Sequence, residues 1–315
     1  MKHRKKAALL LGAGAALGAA AAAAGCVRTT AKVLRRPAEQ PHKEPTGERA
    51  ARIEQVRRQA AQLVEQYPPE EVTITSDDGL ALHGLVFTPP DADKVAVLVH
   101  GYHSSGLREF GSLAWYYIRR GWRVLLVDDR AHGQSEGDVI GFGTLDRRDL
   151  LQWLRYCSIR FGRQQPIVMH GVSMGAATVM MATGLDLPEN VRAAVADCGY
   201  TSVWDEFDHV LHRRHLPAAL CLPLADWWAR RRAGYGLREC DASQELKQAA
   251  VPVLFIHGEQ DDFVPVWMTE KNYDACSTLK MKWICPGAGH AESWFCDEAG
   301  YTRALDEFYA AALRQ

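Results

Sequence analysis

The sequence predicts an α/β fold in which a mostly parallel sheet carries helices on both faces. Short, continuous apolar runs recur along the chain, for example at residues 95–99 and 253–256, and such runs are typical of strands buried on both faces. Helix-like stretches lie between most of the runs and are joined to them by short loops. The hydrophobic content of 47% and the charged content of 24% are those of an ordinary globular domain.

The first 26 residues resemble an export signal. Residues 1–6 carry four Lys/Arg, and residues 7–24 are all Ala, Leu or Gly. The segment ends in Ala24-Gly25-Cys26, which resembles a bacterial lipobox, although Ala23 departs from the usual Leu. Lipidation at Cys26, an uncleaved signal anchor and simple cleavage all remain open. Each alternative places the domain outside the cytoplasm, and the first two predict membrane tethering at the extracytoplasmic face of a bacterial cell.

Residues 27–69 are expected to hold a tether and a helix. The tether contains Pro37, Pro41 and Pro45 among charged residues. Residues 48–66 lack Pro and Gly and repeat apolar side chains at helical spacing, which predicts a helix that ends before Pro68-Pro69.

The globular domain is expected to span residues 70–315. A hairpin over residues 72–88 opens it, followed by strands near 95–99, 124–127, 167–169, 193–196, 253–256 and 280–284. Helices are predicted at 107–120, 145–161, 174–184, 266–276 and 301–313. More than fifty residues separate the strand ending near Cys198 from the strand starting at Val253, which predicts a helical cap at about 200–247.

The charge and the cysteines limit the possible partners. A formal net charge of −1 gives no reason to expect a nucleic-acid partner. Of the eight cysteines, seven remain if Cys26 carries lipid, and none has the Cys-x-x-Cys spacing of a zinc or redox site. Cys285 and Cys296 flank one loop and are a possible pair, but no dense disulfide framework is expected. The sequence leaves the oligomeric state open.

A nucleophilic serine is predicted at Ser173. Gly171-Val172-Ser173-Met174-Gly175 follows one predicted strand and precedes an Ala-rich helix, which is the setting of a nucleophile elbow. Glycine is needed at 171 and 175 because larger side chains would collide with neighbouring backbone in so tight a turn. A serine hydroxyl is a weak nucleophile, so it also needs a base that a third group holds in place.

The acid and the base are expected in that order after the serine. Asp261 and Asp262 come just past the strand at 253–256, and His290 lies on a turn-rich loop after the last strand. Because functional groups collect at the carboxyl edge of an open parallel sheet, Ser173, an aspartate and His290 are expected to meet there. The spacing alone does not choose between the two aspartates.

The oxyanion hole needs two backbone N–H groups. One is expected from Met174, the residue after the nucleophile, and the other from Tyr102 in the loop after the strand at 95–99. His100 and His103 in that loop resemble metal ligands, but no carboxylate or cysteine is spaced to complete a site, and neither metal nor cofactor is expected.

Taken in order, these blocks resemble the α/β-hydrolase superfamily. The matching blocks cover residues 70–315 and comprise His100-Gly101, the run 129–135, the run 171–175, His257-Gly258 with Asp261, and Gly289-His290. The closest branch is that of bacterial serine-aminopeptidase-like and lysophospholipase-like hydrolases. The resemblance implies an eight-stranded sheet, a helical cap after the sixth strand, no cofactor, the acid at Asp261, and a structural role for His132.

The expected function is that of a serine hydrolase acting on a carboxylic ester, with a small acyl ester or a lipid-like molecule as substrate. A peptidase of the same fold would need a group that recognises a free amino terminus. Asp205, Glu206 and Asp208 in the cap offer one, although such a helix face of carboxylates is more often solvated surface. A third possibility is a lipoprotein that binds a ligand without catalysis. The presence of a suitable residue at every catalytic position argues against it.

Overall fold

The computed structural model describes residues 23–36 and 48–314. Its helices are α1 (described over residues 23–33), α2 (Glu48–Gln66), α3 (Gly106–Phe110), α4 (Ala114–Ile118), α5 (Asp146–Phe161), α6 (Met174–Ala182), α7 (Val203–Arg213), α8 (Ala218–Arg232), α9 (Ala242–Glu245), α10 (Val266–Ala275), α11 (Ser293–Cys296) and α12 (Glu298–Ala312). No helix in these two ranges is long and apolar enough to cross a membrane.

One eight-stranded, open sheet forms the centre of the described chain. Its strands are β1 (Glu70–Thr75), β2 (Ala81–Phe87), β3 (Lys94–Val99), β4 (Trp122–Val127), β5 (Ile167–Val172), β6 (Val191–Asp197), β7 (Val253–Gly258) and β8 (Lys280–Cys285). They lie in the order β1-β2-β4-β3-β5-β6-β7-β8. β1 and β2 pair antiparallel, β2 joins β4 antiparallel, and the remaining neighbours are parallel. The predicted fold class is therefore confirmed.

The sheet is buried on both faces, as its apolar runs predict. Every residue of β5 and β7 is buried, and two apolar clusters pack against the sheet. One cluster contains Val97, Trp153 and Met180, and the other contains Leu98 and Phe308. The parallel strands β3, β5, β6 and β7 consequently present their carboxyl ends at one edge.

The predicted helix at 107–120 is instead two short helices, α3 and α4. The break falls at Gly111–Leu113, where α2 packs against the chain. A side chain at Gly111 would overlap the Cβ atom of Ala60 on α2. Close helix approach therefore interrupts a run whose periodicity looks continuous in the sequence.

Three cap helices, α7, α8 and α9, fill the long connection between β6 and β7. α7 begins at a capping serine, because the side chain of Ser202 accepts a hydrogen bond from the backbone N–H of Asp205. α8 continues through Pro223. The cap lies after the sixth strand, where the sequence resemblance places it.

The part of the expected tether that the structure describes is docked on the domain. Leu34 is fully buried, Arg35 pairs with Val139 in a β-bridge, and Arg36 donates hydrogen bonds to the carbonyl oxygens of Gly133 and Ser135. The proline-rich stretch at 37–47 and the apolar run up to residue 22 lie outside the described residues. Tertiary contacts therefore order residues 27–36, which the sequence assigns to the tether and whose composition resembles a linker.

Cys26 forms a disulfide with Cys221 of α8, with Cα atoms 5.4 Å apart. The bond joins α1 to the cap across 195 residues of sequence. Cys285 and Cys296, the pair that the sequence suggests, are both free thiols. A sulfur in a disulfide cannot also carry a thioether-linked lipid, so this pairing competes with the predicted lipidation of Cys26.

Candidate active site

Ser173 occupies a sharp turn between β5 and α6. β5 ends at Val172, α6 begins at Met174, and Ser173 between them has φ 55° and ψ −114°. A positive φ is uncommon for a residue with a Cβ atom and marks backbone strain of the kind found at functional sites. A side chain at Gly171 would overlap the backbone of Gly175, and one at Gly175 would overlap the backbone of Val99. The turn is therefore sterically dependent on both glycines, as the sequence predicts.

The structure brings Ser173, His290 and Asp261 together at the carboxyl edge of the sheet. The hydroxyl of Ser173 lies 2.9 Å from Nε2 of His290, and Nδ1 of the same ring lies 2.7 Å from Oδ2 of Asp261. When Nδ1 carries the proton and donates it to Asp261, Nε2 is left to accept from the serine hydroxyl. This is the geometry in which an imidazole can take a proton from a nucleophile.

Asp261 is held as a buried carboxylate. Burial alone raises its pKa, but interactions with His257 and His290 more than offset burial, and the net pKa lies well below the usual range. Its Oδ1 accepts hydrogen bonds from the backbone N–H groups of Phe263 and Val264, both at 2.9 Å. The carboxylate is therefore charged and fixed in orientation near neutral pH.

Asp262, the other candidate acid, points away from this cluster. Its side chain is 80% exposed and pairs with Arg213 of α7 at 2.8 Å. Of the two adjacent aspartates, only Asp261 meets the His290 ring. The structure thus distinguishes Asp261 from Asp262, which their spacing in the sequence alone does not.

The two expected oxyanion donors lie on the segments that flank Ser173. Met174 is the first residue of α6, directly after the serine. Tyr102 follows Gly101, and a Cβ atom placed at Gly101 would lie 3.3 Å from that of Ser173. A helix N-terminus and an adjacent loop can both direct N–H groups at charge that develops on a substrate oxygen.

Neighbouring loops support the Tyr102 loop through two buried histidines. Nε2 of His132 accepts the backbone N–H of His103, while its Nδ1 donates to the carbonyl of Arg130. His100 bonds the carbonyl of Gly101 and accepts the backbone N–H of Asp129. Burial lowers the pKa of both imidazoles, that of His132 to about 3, so both rings are neutral at pH 7. The contacts of His132 agree with the structural role that the resemblance implies.

One support of the same loop could not be read from the sequence. The phenol of Tyr102 donates a hydrogen bond to the carbonyl oxygen of Val33, at 2.9 Å. Val33 lies in the N-terminal segment, 69 residues earlier in the chain. No local pattern marks this pair, because it exists only when residues 23–36 dock on the domain.

The environment of Glu206 differs from the solvated surface that is usual for carboxylates on a helix face. The cap carboxylates were expected to be solvated, but Glu206 is only 6% exposed, and neither of its carboxylate oxygens has a hydrogen-bond partner. Burial and the nearby charge of Asp261 raise its pKa to about 8, and Arg213 offsets only part of that. Asp205, by contrast, is paired with Lys271, and Asp208 with His212.

Glu206 lies on the face of α7 that meets the loop after β7 that carries Asp261 and Asp262, here called the acid loop. His209 and Arg213, three and seven positions further along the helix, both contact the carbonyl of Asp262. Residues at this spacing share one helix face. The uncompensated carboxyl group of Glu206 therefore faces the same region as the site.

A possible metal-binding group coincides with the Ser173 site. In the part of the chain that the structure describes, one set of three potential ligand atoms lies within 4.8 Å of one another, on Cys198, Asp261 and His290. Asp261 and His290 already bond each other, and burial raises the pKa of the Cys198 thiol well above its usual range. A protonated thiol is a poor metal ligand, so the group fits a hydrogen-bonded site better than a metal centre.

Comparison with solved structures identifies the architecture. The chain is similar to the Pyrococcus furiosus esterase Pf2001, with a TM-score of 0.65 and 20% identity over 78% of this chain and 92% of that chain. It is similar to the esterase EaEST from Exiguobacterium antarcticum, with a TM-score of 0.57 and 15% identity over 76% of this chain and all of that one. The chain has the α/β-hydrolase fold.

Sequence comparisons agree with this fold. The family model for serine aminopeptidases, S33, matches residues 90–234. Among curated proteins, Bacillus subtilis YqkD is 29% identical over 78% of this chain and 80% of its own length. Escherichia coli YfhR is 24% identical over 78% of this chain and 81% of its own. Both relatives are described as uncharacterized, so neither indicates a substrate.

Proposed function

We propose that this α/β-hydrolase cleaves carboxylic esters through an acyl-enzyme at Ser173. The observation that carries the proposal is the continuous hydrogen-bonded chain from the Ser173 hydroxyl through His290 to Asp261. His290 takes the serine proton as the hydroxyl attacks the ester carbonyl, and returns it to the leaving alcohol. Asp261 holds the imidazole tautomer and stabilises the imidazolium that forms.

The backbone N–H groups of Met174 and Tyr102 are assigned to the oxyanion of the tetrahedral intermediate. Loss of one such donor typically slows turnover by about 10²-fold to 10³-fold. Water then attacks the acyl-enzyme with His290 as base, which releases the acid and regenerates Ser173. The α/β-hydrolase fold, which the two esterases compared above share, supports this chemistry.

A fluorophosphonate probe tests the catalytic assignment. It phosphonylates an activated serine hydroxyl, so we expect the full chain to be labelled at Ser173 and Ser173→Ala to remain unlabelled. The same samples are assayed with p-nitrophenyl esters of graded acyl length. A chain that hydrolyses none of the esters and takes no label would support the reading as a binding protein that does not catalyse.

A peptidase is the second candidate, and Glu206 is the observation that favours it. A buried carboxyl group without a partner can accept the ammonium group of a free amino terminus, which would then ionise it. Aminoacyl p-nitroanilides test this candidate. If it is correct, Glu206→Gln raises KM for these substrates far more than for p-nitrophenyl esters.

We also propose that the chain is held at the extracytoplasmic face of a membrane by an uncleaved segment within residues 1–24. The Cys26–Cys221 disulfide supports an anchor rather than a lipid at Cys26, and a disulfide is in keeping with an oxidising compartment. Membrane fractionation with alkaline extraction tests this. An anchored chain stays in the pellet, with residues 1–24 present by mass spectrometry.

A further inference from the structure

The outer face of the cap helix α8 carries an apolar stripe. Leu220 and Trp227 are 39% and 54% exposed, Pro223 is exposed between them, and Leu216, just before the helix, is 46% exposed. Positions 220, 223 and 227 follow helical spacing within α8 and so form one stripe, and Leu216 lies just before its first turn. The opposite face of α8 is buried and includes Leu222 and Trp228 among its residues. The stripe is therefore a second apolar face that the described chain leaves uncovered.

Free positive charge borders this stripe at both ends. Arg230 pairs with Asp226 and Glu239. Arg214, Arg231 and Arg232, however, have no acidic partner among the described residues, and all three are exposed.

Arg231 and α1 extend this basic border. The guanidinium of Arg231 lies 5.5 Å from the centroid of the Trp227 ring. α1 adds the exposed Arg28 and Lys32, which are also without acidic partners in the described residues. Unpaired cations therefore flank the apolar stripe along the chain and one of them contacts Trp227, so anionic groups would complement it.

The chain enters the domain beside this same helix. Cys26 of α1 is bonded to Cys221 of α8, which lies between Leu220 and Leu222. The run of Ala, Leu and Gly at residues 7–25 directly precedes Cys26. Whatever holds that run in a bilayer would therefore hold the stripe close to the bilayer surface.

We propose that the cap docking face, defined as Leu216, Leu220, Pro223 and Trp227 with Arg214, Arg231 and Arg232, lies on the surface of an anionic lipid bilayer. Tryptophan and leucine enter the headgroup boundary, and arginines at its edge pair with lipid phosphates. This assignment goes beyond tethering, because it states which face meets the membrane. It rests on the membrane attachment proposed above and is independent of the catalytic assignment.

Docking in this orientation has a consequence for the site. α7 packs between α8 and the acid loop, and Phe263 of that loop is 45% exposed with its ring 4.9 Å from the ring of His290. The cap would therefore stand between the bilayer and the catalytic edge.

Site-specific photocrosslinking to lipid tests the proposal. The full chain, with p-benzoylphenylalanine in place of Leu220, is reconstituted into vesicles of phosphatidylcholine and phosphatidylglycerol whose acyl chains carry an alkyne. The matched control places the same residue at Ile159, which is 78% exposed in the last turn of α5. α5 leads into the start of β5, so Ile159 lies at the opposite end of the sheet from the cap.

We expect strong lipid crosslinking at position 220 and little at position 159. We also expect the yield at 220 to fall several-fold in vesicles of phosphatidylcholine alone, and in the variant with Arg214, Arg231 and Arg232 changed to Gln. Equal yields at the two positions, or crosslinks from position 220 to a second copy of the chain, would overturn the docking face.

Flotation and probe labelling of the same vesicles separate the possible failures. A chain that floats with the vesicles but gives no lipid crosslink at 220 is tethered without docking. A chain that neither floats nor crosslinks contradicts the attachment and the docking face together. Fluorophosphonate labelling of Ser173 reports the catalytic assignment separately in each case.

Discussion

Two buried carboxyl groups, one at the sheet edge and one in the cap, are in opposite states. Asp261 accepts hydrogen bonds from two backbone N–H groups and lies 2.7 Å from His290, and its pKa is depressed. Glu206 is buried to a similar degree, 6% exposed like Asp261, but its oxygens have no partner and its pKa is raised to about 8. Burial raises the pKa of both groups, but the donors around Asp261 reverse that shift, whereas Glu206 has no donor to do so.

The sheet edge around Asp261 is therefore preorganised for a negative charge, whereas the cap around Glu206 offers nothing that would compensate one. The edge of the sheet supplies every donor that Asp261 needs before any substrate arrives, as electrostatic preorganisation requires. The cap supplies none for Glu206, so its carboxyl group is protonated at neutral pH until something compensates its charge. We infer that the edge fixes the chemistry and that the cap is where substrates are distinguished.

The largest effect on activity should come from a substitution at the sheet edge that removes the charge of Asp261. Asp261→Asn removes the charge that fixes the tautomer of His290, and we expect kcat to fall about 10⁴-fold with near-normal thermal stability. Steady-state ester hydrolysis measures this. The control is the neighbouring Asp262→Asn, whose exposed ion pair with Arg213 should matter little. Equal losses in both variants would remove Asp261 from its assigned role.

A smaller effect, on stability rather than turnover, should come from the cap. Because the pKa of Glu206 rises from 4.5 to about 8 on folding, the folded state binds an extra proton between these values. The free energy of unfolding contributed by Glu206 is therefore full below pH 4.5 and is lost as pH rises towards 8.

Glu206→Gln should abolish that dependence. Relative to wild type, the variant should gain on the order of 1 kcal/mol for each pH unit through this window. Urea unfolding at pH 5, 6, 7 and 8 measures the difference, with the partly exposed α7 residue Asp208→Asn as control. A constant difference across the series would show that Glu206 is ionised in the folded protein.

The smallest expected effect is a difference of one in the number of titratable thiols. With eight cysteines in the sequence and Cys26 bonded to Cys221, the unfolded, unreduced chain should titrate six thiols. Ellman's reagent in denaturant gives the count, and Cys221→Ser should raise it to seven by freeing Cys26. A count of seven in the wild type together with a lipid-sized mass increase would mean that Cys26 is lipidated, so that α1 reaches the cap without a covalent link.

Much of the site could be predicted because its requirements are local. A strand, a tight turn and a helix must meet at Ser173, and only glycine fits at 171 and 175, so the motif is visible in five residues. The positions of Asp261 and His290 follow from the parallel order of strands, which brings loops distant in sequence to one edge. The break at Gly111 and the burial of Glu206 could not be predicted, since each depends on a neighbour far away in the chain.

The sequence by itself determined the sheet, the elbow and the order of serine, acid and histidine, because apolar periodicity and steric demand act within a few residues. The family resemblance already implied Asp261 as the acid, whereas only the tertiary structure decided that Glu206 is buried without partners. It also decided that residues 23–36 dock beside Tyr102 and the cap. These outcomes depend on contacts between segments tens to hundreds of residues apart, which no local pattern encodes.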